Sequence, residues 1–595
     1  MARRTDSARP KGWGALALPA VLFITVVYVL PLGMLLLRSV VNEEEPGLGA
    51  YTRLLADPGF LTVLRNTALL SLLSAVLCVL IGFPIALTIA RSRGVFRAFL
   101  FICVVTPYLT SVLIRVFAIQ VLLGAEGIVN NLLTAVGLDR ADLLFNSFAV
   151  IVGLVHSEIP IVVLVLVPII EKVDPSRMLA ARSLGAGPAE AFVRVFLPAT
   201  RPGLQVAFVL ALVYSAGSFA VPELLGGNAA GMAGSFVYGA ISQEGDTASG
   251  AAASVLLSVA VMAVLVLFTL LTRQKIQNVV APQLMSTAAV ETPERERARR
   301  RGSRRHTRRS VSGLAARLLD RSRISYLPGI VPAIATVLAL LVLLPQLLAI
   351  PISFAGTRAL VFPPNSYSTQ WWANMFTGSW LRPLGVSVLV GVVSSVCATA
   401  LGVLAAIGVG RAGSRAVRAL SLPYLLLPLL FPVVVAAGAF FISFLRVGLI
   451  DTQAGFVLAH IAITLPQAFI IGYAGVQAIN PDYEHAAASL GASRLRTLRR
   501  ILLPLLGGQV LAALFLTFVT SFDESTIAIF LSGINVQTLP SRIFEALALQ
   551  TDPTVGVTAV LFMAFVSVGA IAWQVLKRLR RRTAQRTETE RGQAA

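Results

Sequence analysis

The sequence is poor in charge and in reactive side chains. Only 13% of its 595 residues are charged, and it has just four histidines and three cysteines. Soluble domains carry roughly a quarter charged residues, so an ordinary water-soluble fold is excluded. Cys78, Cys103 and Cys397 all fall inside apolar runs, with no CxxC or mixed Cys/His spacing. They read as small buried hydrophobes rather than as a disulfide framework or a metal site. The chain has no GxxxxGK[ST] phosphate loop, so it binds no ATP that way, and no Ser/His/Asp constellation suggests an enzyme. Acids are scarcer than bases, 28 against 49, for a net charge of +21. That excess raises nucleic acid as a partner, but its placement argues otherwise. Arginines gather at Arg3 and Arg4, in a central run, and in KRLRRRTAQR at 577–586. Basic flanks beside apolar runs follow the positive-inside rule, and no aromatic array for stacking bases accompanies them.

What is present is apolar: 56% of residues are hydrophobic, and the mean hydropathy is +0.82. Many runs reach the ~20 residues that cross a ~30 Å hydrocarbon core as helix. The fold class is therefore an all-α polytopic membrane protein. Twelve spans are expected, near 14–38, 67–91, 97–123, 147–171, 202–225 and 250–273, then 328–354, 386–411, 416–444, 453–479, 508–532 and 553–577. The first run is too long for a signal-peptide core and reads as a retained span. These runs divide the chain into a first six-span domain at 1–273, a basic linker at 274–327, a second six-span domain at 328–577 and a basic tail at 578–595. The linker contains RERARRRGSRRHTRR (295–309), a like-charge run expected to be solvated and to face anionic membrane lipid. Arg91, Arg93 and Arg97 lie between spans two and three, and Arg411, Arg415 and Arg418 between spans eight and nine. With both termini basic, this predicts termini and linker on the cytoplasmic side.

The halves repeat. Gly185 and Gly491 are 306 positions apart, as are Pro160 and Pro466, Pro175 and Pro481, Pro198 and Pro504, Ser215 and Ser521, and Gly227 and Gly533. Upstream the offset is 320, pairing Gly82 with Gly402 and Arg91 with Arg411. Both halves share one orientation, so the duplication is parallel, and its pseudo-twofold axis would place a pathway between them.

The most informative repeated segment is DPSRMLAARSLGAGPAEAFVRVFLPATRPG (174–203), with NPDYEHAAASLGASRLRTLRRILLPLLGG (480–508) as its second copy. Asp174 or Asn480 caps a helix that opens on Pro175 or Pro481. Gly185 or Gly491 stops it. A second helix starts after Gly187 or Ser493 and is expected to end at Pro198 or Pro504. The pairs Ala180-Ala181 and Ala486-Ala487 leave little bulk, which lets another surface approach the backbone closely.

This pattern resembles the EAA loop of ATP-binding cassette (ABC) importer permeases. TPYLTSVLIRVFAIQVLLGAEGIVNNLL (106–133) and GSFAVPELLGG (217–227) are similar to the first permease of polyamine importers, and SFDESTIAIFLSG (521–533) to the second. The resemblance implies a fused two-domain permease in a bacterial inner membrane, with an external solute-binding protein and two ATPase subunits on the cytoplasmic side. Those subunits would bind ATP-Mg; this chain would bind no cofactor. It implies coupling through Ala180, Ala181, Gly185 and Pro198 in one copy, and through Glu484, His485, Ala486, Ala487, Gly491 and Pro504 in the other. The sequence departs from the pattern at the consensus glutamate, which is Leu179 in the first copy and His485 in the second, with Glu484 one residue early. Putrescine or spermidine is the implied cargo. Ferric iron or a phosphonate in the same machinery, a secondary transporter, and a flux-less scaffold are the alternatives.

Ionisable residues within spans are costly and become functional candidates. Asp523, Glu524, Glu158 and Glu223 are the candidates for a path that would pair with protonated amines. Arg115 would repel such a cargo and is expected to pair with an acid or to snorkel to an interface. His156 and His460 read as packing residues, and Trp371 and Trp372 as membrane-interface anchors.

Overall fold

The computed structural model describes residues 13–41, 47–227, 230–272, 329–358, 361–549, 552–565 and 568; the expected linker and tail lie outside them. In the first half the helices are α1 (Trp13–Arg38), α2 (Pro58–Arg91), α3 (Gly94–Leu109), α4 (Val112–Leu123), α5 (Ser147–Glu171), α6 (Pro175–Ser183), α7 (Pro188–Ala216), α8 (Ala220–Leu225), α9 (Ala233–Tyr238) and α10 (Thr247–Thr272). The second half has α11 (Ile330–Ile352), α12 (Gly378–Gly410), α13 (Arg415–Leu425), α14 (Val433–Arg446), α15 (Gln453–Ala478), α16 (Asp482–Ser489), α17 (Arg494–Leu505), α18 (Gly507–Asp523), α19 (Thr526–Leu531), α20 (Leu539–Leu549) and α21 (Thr554–Phe565). The starts are set locally. Asp57 accepts from Gly59 N at 2.9 Å and Phe60 N at 3.2 Å ahead of α2, Asn146 from Ala149 N at 3.0 Å ahead of α5, and Thr452 from Gly455 N at 3.1 Å ahead of α15.

The chain is an all-α polytopic membrane protein, but the twelve expected spans are not twelve unbroken helices. Among the described residues nine helices are long and apolar enough to cross a membrane, or ten if the bent pair α17–α18 counts as one. The span expected at 97–123 breaks at Thr110-Ser111 between α3 and α4, and the one at 416–444 breaks before α14, around Pro428 and Pro432. Those at 202–225 and 508–532 break at 217–219 and 524–525. Side-chain caps from Ser111 and Glu524 replace lost ladder bonds at two of these points. Only α21 of the last span lies within the described residues.

The duplication is visible in packing. The same three-helix nucleus recurs, α2 with α5 and α7, and α12 with α15 and α18. Its crossings are set by paired glycines. A Cβ on Gly82 would lie 2.8 Å from Val162 Cγ1, and one on Gly402 would lie 2.7 Å from Ala468 Cβ and 2.8 Å from Phe469 N. Within lipid such close approach is what holds helices together.

The first helix of each half packs on the other half. α1 lies against α12, α13 and α14, with Thr25 hydrogen-bonded to Tyr424 at 2.6 Å and Tyr28 edge-on to Phe440 at 6.1 Å. α11 lies against α2, α3 and α4, and its Val342 carbonyl is 2.9 Å from His156 Nε2. His460 Nδ1 meets Ser521 Oγ at 2.8 Å, so both histidines are packing residues as expected. Trp371 is no interface anchor, since it is buried and donates to the Ala355 carbonyl, while the half-buried Trp372 stacks on Phe354 at 5.4 Å.

Candidate functional site

Two helical hairpins project from the same end of the bundle. In the first, Asp174 accepts from Ser176 N at 2.9 Å and Ser176 Oγ at 2.6 Å, which holds its carboxyl below the usual carboxylate range. In the second, Asn480 Oδ1 accepts from Asp482 N at 3.1 Å in the same role. Both first helices end on a left-handed glycine, Gly185 at φ 89° and Gly491 at φ 76°. The amide of the following residue bonds back to Ala181 O (3.1 Å) or Ala487 O (3.0 Å), closing a Schellman turn. The glycine stops are thus where the sequence predicts them. A side chain at either glycine would enter open space. Leu184 and Leu490, just before them, are 89% and 88% exposed. A shallow depression of about 410 Å³ beside the first hairpin is lined by Ala181, Leu184, Gly185, Glu190 and Arg194, among others.

The proline stops are met in one copy only. Each hairpin's second helix passes through one wide π-turn, Phe192–Phe196 or Leu498–Leu502, in which Leu197 N bonds to Phe192 O and Leu503 N to Leu498 O. Placed directly after this i→i−5 bond, the amide-less proline is accommodated within the helix. In the first copy α7 therefore runs on past Pro198 to Ala216. In the second, α17 ends at Leu505, just past Pro504, and α18 leaves at 70° to it.

The displaced acid has a partner. Glu484 Oε1 is 2.6 Å from Arg411 Nε, both side chains are 9% exposed, and Arg411 Nη2 also donates to Ile479 O at 2.9 Å. This strap joins the second hairpin to the end of α12. The first copy has Met178 at the matching position, and Arg91 instead lies over the Phe196 ring, 5.4 Å from its centre. Accordingly α6 buries no residue, while α16 buries Glu484 and Ala487. His485 lies on the exposed side, and its main-chain oxygen accepts from Ser489 Oγ at 3.0 Å.

Further into the bundle, polar groups from both halves converge. Asp523 Oδ1, at the end of α18, accepts from Val112 N at 3.3 Å, at the start of α4. Arg115 is 7% exposed, donates to Ser157 O at 3.1 Å, and lies within electrostatic reach of Asp523 and Glu158. Its described hydrogen bonds go to the Ser111 and Ser157 carbonyls and to neither acid. Glu524 plays a different part from Asp523. It accepts from Thr526 N (3.0 Å), Ile527 N (2.7 Å) and Ala528 N (3.3 Å), and so caps α19. Glu223 stands apart, on α8 beside Ser235. Tyr108 and Tyr214 are 39% and 48% exposed and lie within electrostatic reach of Glu158.

Rings from the two halves also meet one another. Phe219 and Tyr238 of the first half, 4.7 Å apart, contact Phe530 and Phe544 of the second at centroid distances of 5.3 to 6.3 Å, and Phe441 adjoins Phe530 at 6.5 Å. Gly217 packs beside Pro432, where a Cβ would come within 2.9 Å of the ring.

Residues 79–278 and 398–584 each match the family described as "Binding-protein-dependent transport system inner membrane component". The chain belongs to that family. It carries the domain twice, making it a fused two-domain transport permease and not an enzyme. Among curated relatives, it is 38% identical over 179 residues to the spermidine/putrescine transport system permease protein PotB of Haemophilus influenzae, covering 30% of this chain and 62% of that one. It is 32% identical over 211 residues to PotB of Escherichia coli, covering 35% and 76% respectively. The spermidine/putrescine permease PotC of H. influenzae is 27% identical over 215 residues, covering 36% of this chain and 83% of that one. A solved bacterial ABC transporter that imports the acidic polysaccharide alginate aligns with a TM-score of 0.40 at 21% identity, over 44% of this chain and 94% of that one.

In this permease the sequence pattern finds the hairpins, their glycines and three of the inner charges. It misses the Arg411–Glu484 strap, although the charge pair stands in the sequence as an arginine ending a span and an acid displaced by one position. It also misses the aromatic cluster between the halves, since aromatic residues within apolar runs carry no sign of which neighbour they will meet.

Proposed function

We propose that this permease is the membrane component of an ABC importer that moves a polyamine such as putrescine or spermidine across a bacterial inner membrane. The reading has residues 1–273 and 328–577 as its two permease domains, with both termini and the basic linker cytoplasmic. Two ATPase subunits would bind ATP-Mg and grip 174–203 and 480–508, and an external binding protein would deliver the cargo. The observation that carries it is the pair of glycine-stopped hairpins at one end, each with exposed leucine and open space beside a left-handed glycine. Nucleotide-driven movement of the hairpins would bias the halves between two access states through differential contact.

The inner site supports a cationic cargo. With both acids ionised, Asp523 and Glu158 would carry two negative charges and Arg115 would offset one, leaving a net negative site beside Tyr108. One residual charge suits passage, since a deeper well would trap the amine. Glu524 caps α19, and Glu223 lies apart from these acids on α8.

Uptake of labelled putrescine and spermidine by cells carrying the complete complex tests the reading. It should require the ATPase and resist competition by ferric iron and phosphonates. Uptake without any ATPase would favour a secondary transporter, and iron competition would reassign the cargo.

A further inference from the structure

The two copies of the hairpin's second helix have diverged in direction and in charge. In the first copy the helix continues as α7 into the span. There Glu190 and Arg194 close an ion pair at 2.5 Å, leaving little net charge. In the second copy α17 lies at 70° to α18, and the matching positions are Arg496 and Arg500, with Arg499 replacing Val193. No acid occurs between 485 and 522, and among the described residues Arg496, Arg499 and Arg500 have no acidic partner within 4 Å.

The helix has two faces. Leu498, Leu502 and Leu506 are buried against Trp13, Val403 and Ile407. Arg496, Arg499 and Arg500 are exposed on the other face, together with Leu495 (55%) and Leu505 (50%). Such a helix, crossing a span near its end and presenting arginines beside bare leucine, matches the boundary between lipid headgroups and acyl chains. We propose that the outer face of α17 is a binding site for anionic phospholipid headgroups, present in the second half only. The arginines would hold the phosphate, and Leu495 and Leu505 would enter the acyl edge. This inference does not depend on the cargo, and it requires that an ATPase gripping 480–508 leave this face of α17 open.

The test uses the full chain in bilayers doped with a phosphatidylglycerol that carries a photoactivatable headgroup, with adducts mapped by mass spectrometry. Wild type should label within 494–506, and R496Q/R499Q/R500Q should lose about tenfold or more of that label. The variant R496K/R499K/R500K keeps the charge and should keep most of it. Label on the first copy's 188–200 should stay low in all three. Equal labelling of wild type and the glutamine variant would overturn the site, as would equal labelling by a zwitterionic probe. Full protection of these arginines by bound ATPase in the assembled complex would assign the face to a protein partner instead.

Discussion

Replacing Glu484 with glutamine should loosen one hairpin and leave the other untouched. The substitution strands Arg411, whose side chain is 9% exposed and keeps only the Ile479 carbonyl at 2.9 Å. Removing one partner of a buried ion pair costs about 3–5 kcal/mol, and the surviving carbonyl contact argues for the lower end. About 3 kcal/mol corresponds to a hundredfold or greater rise in local opening. Hydrogen–deuterium exchange over 482–492 reads this directly, and 175–185 in the same molecule serves as control because Met178 occupies the matching place. Arg411→Met should loosen the same amides. The double variant Arg411→Met, Glu484→Met should recover much of the protection, since exchanging both charges for apolar groups of similar size is often near neutral. Exchange within about threefold of wild type in the Glu484→Gln chain would refute the strap, since that bounds the loss at less than 1 kcal/mol. A double variant as loose as the sum of the singles would refute the coupling.

Asp523→Asn should lower polyamine uptake while the complex still assembles, and unchanged uptake kinetics would remove Asp523 from the path. Gly402→Ala should lower the thermal midpoint, because its methyl meets backbone at 2.8 Å; such overpacking costs roughly 1–3 kcal/mol. Gly385→Ala in the same helix meets nothing within 4 Å and should be neutral or stabilising. Asp451, in the connection between α14 and α15, accepts from Asn535 N at 2.9 Å and Val536 N at 2.6 Å. Partial burial raises its carboxyl, but these bonds and others to the same turn outweigh that and hold it below the usual carboxylate range. Its support of the turn at 533–536 is therefore present above the ordinary carboxylate pKa and is lost as pH falls through the depressed folded value. Amide exchange at 535 and 536 should accelerate there in wild type, and an Asp451→Asn chain should lack that step.

The sequence makes the duplication legible because spacing survives divergence: Gly185 and Gly491 still close equivalent turns. It makes the spans legible as apolar runs, but hydropathy is blind to direction. Thr110-Ser111 and Gly217-Ser218 interrupt helices inside stretches whose composition hardly changes. The π-turns that admit Pro198 and Pro504 depend on backbone geometry that composition does not encode. Asp523 and Glu524 look alike in the sequence, yet one meets Val112 across the halves and the other caps α19. That distinction arises only when distant segments meet.

The reciprocal packing of α1 and α11 also sets an order of manufacture. α1 ends at Arg38, and its main neighbour α12 begins at Gly378. At about 5–20 residues per second, roughly 20–70 s of translation separate them. Through that interval α1 waits beside an unfinished protein, and the α2–α5 wall waits for α11. Neither half is complete when it leaves the ribosome, so the junction between them forms late. Joining the halves in one chain guarantees that each nascent wall meets its intended mate at high local concentration.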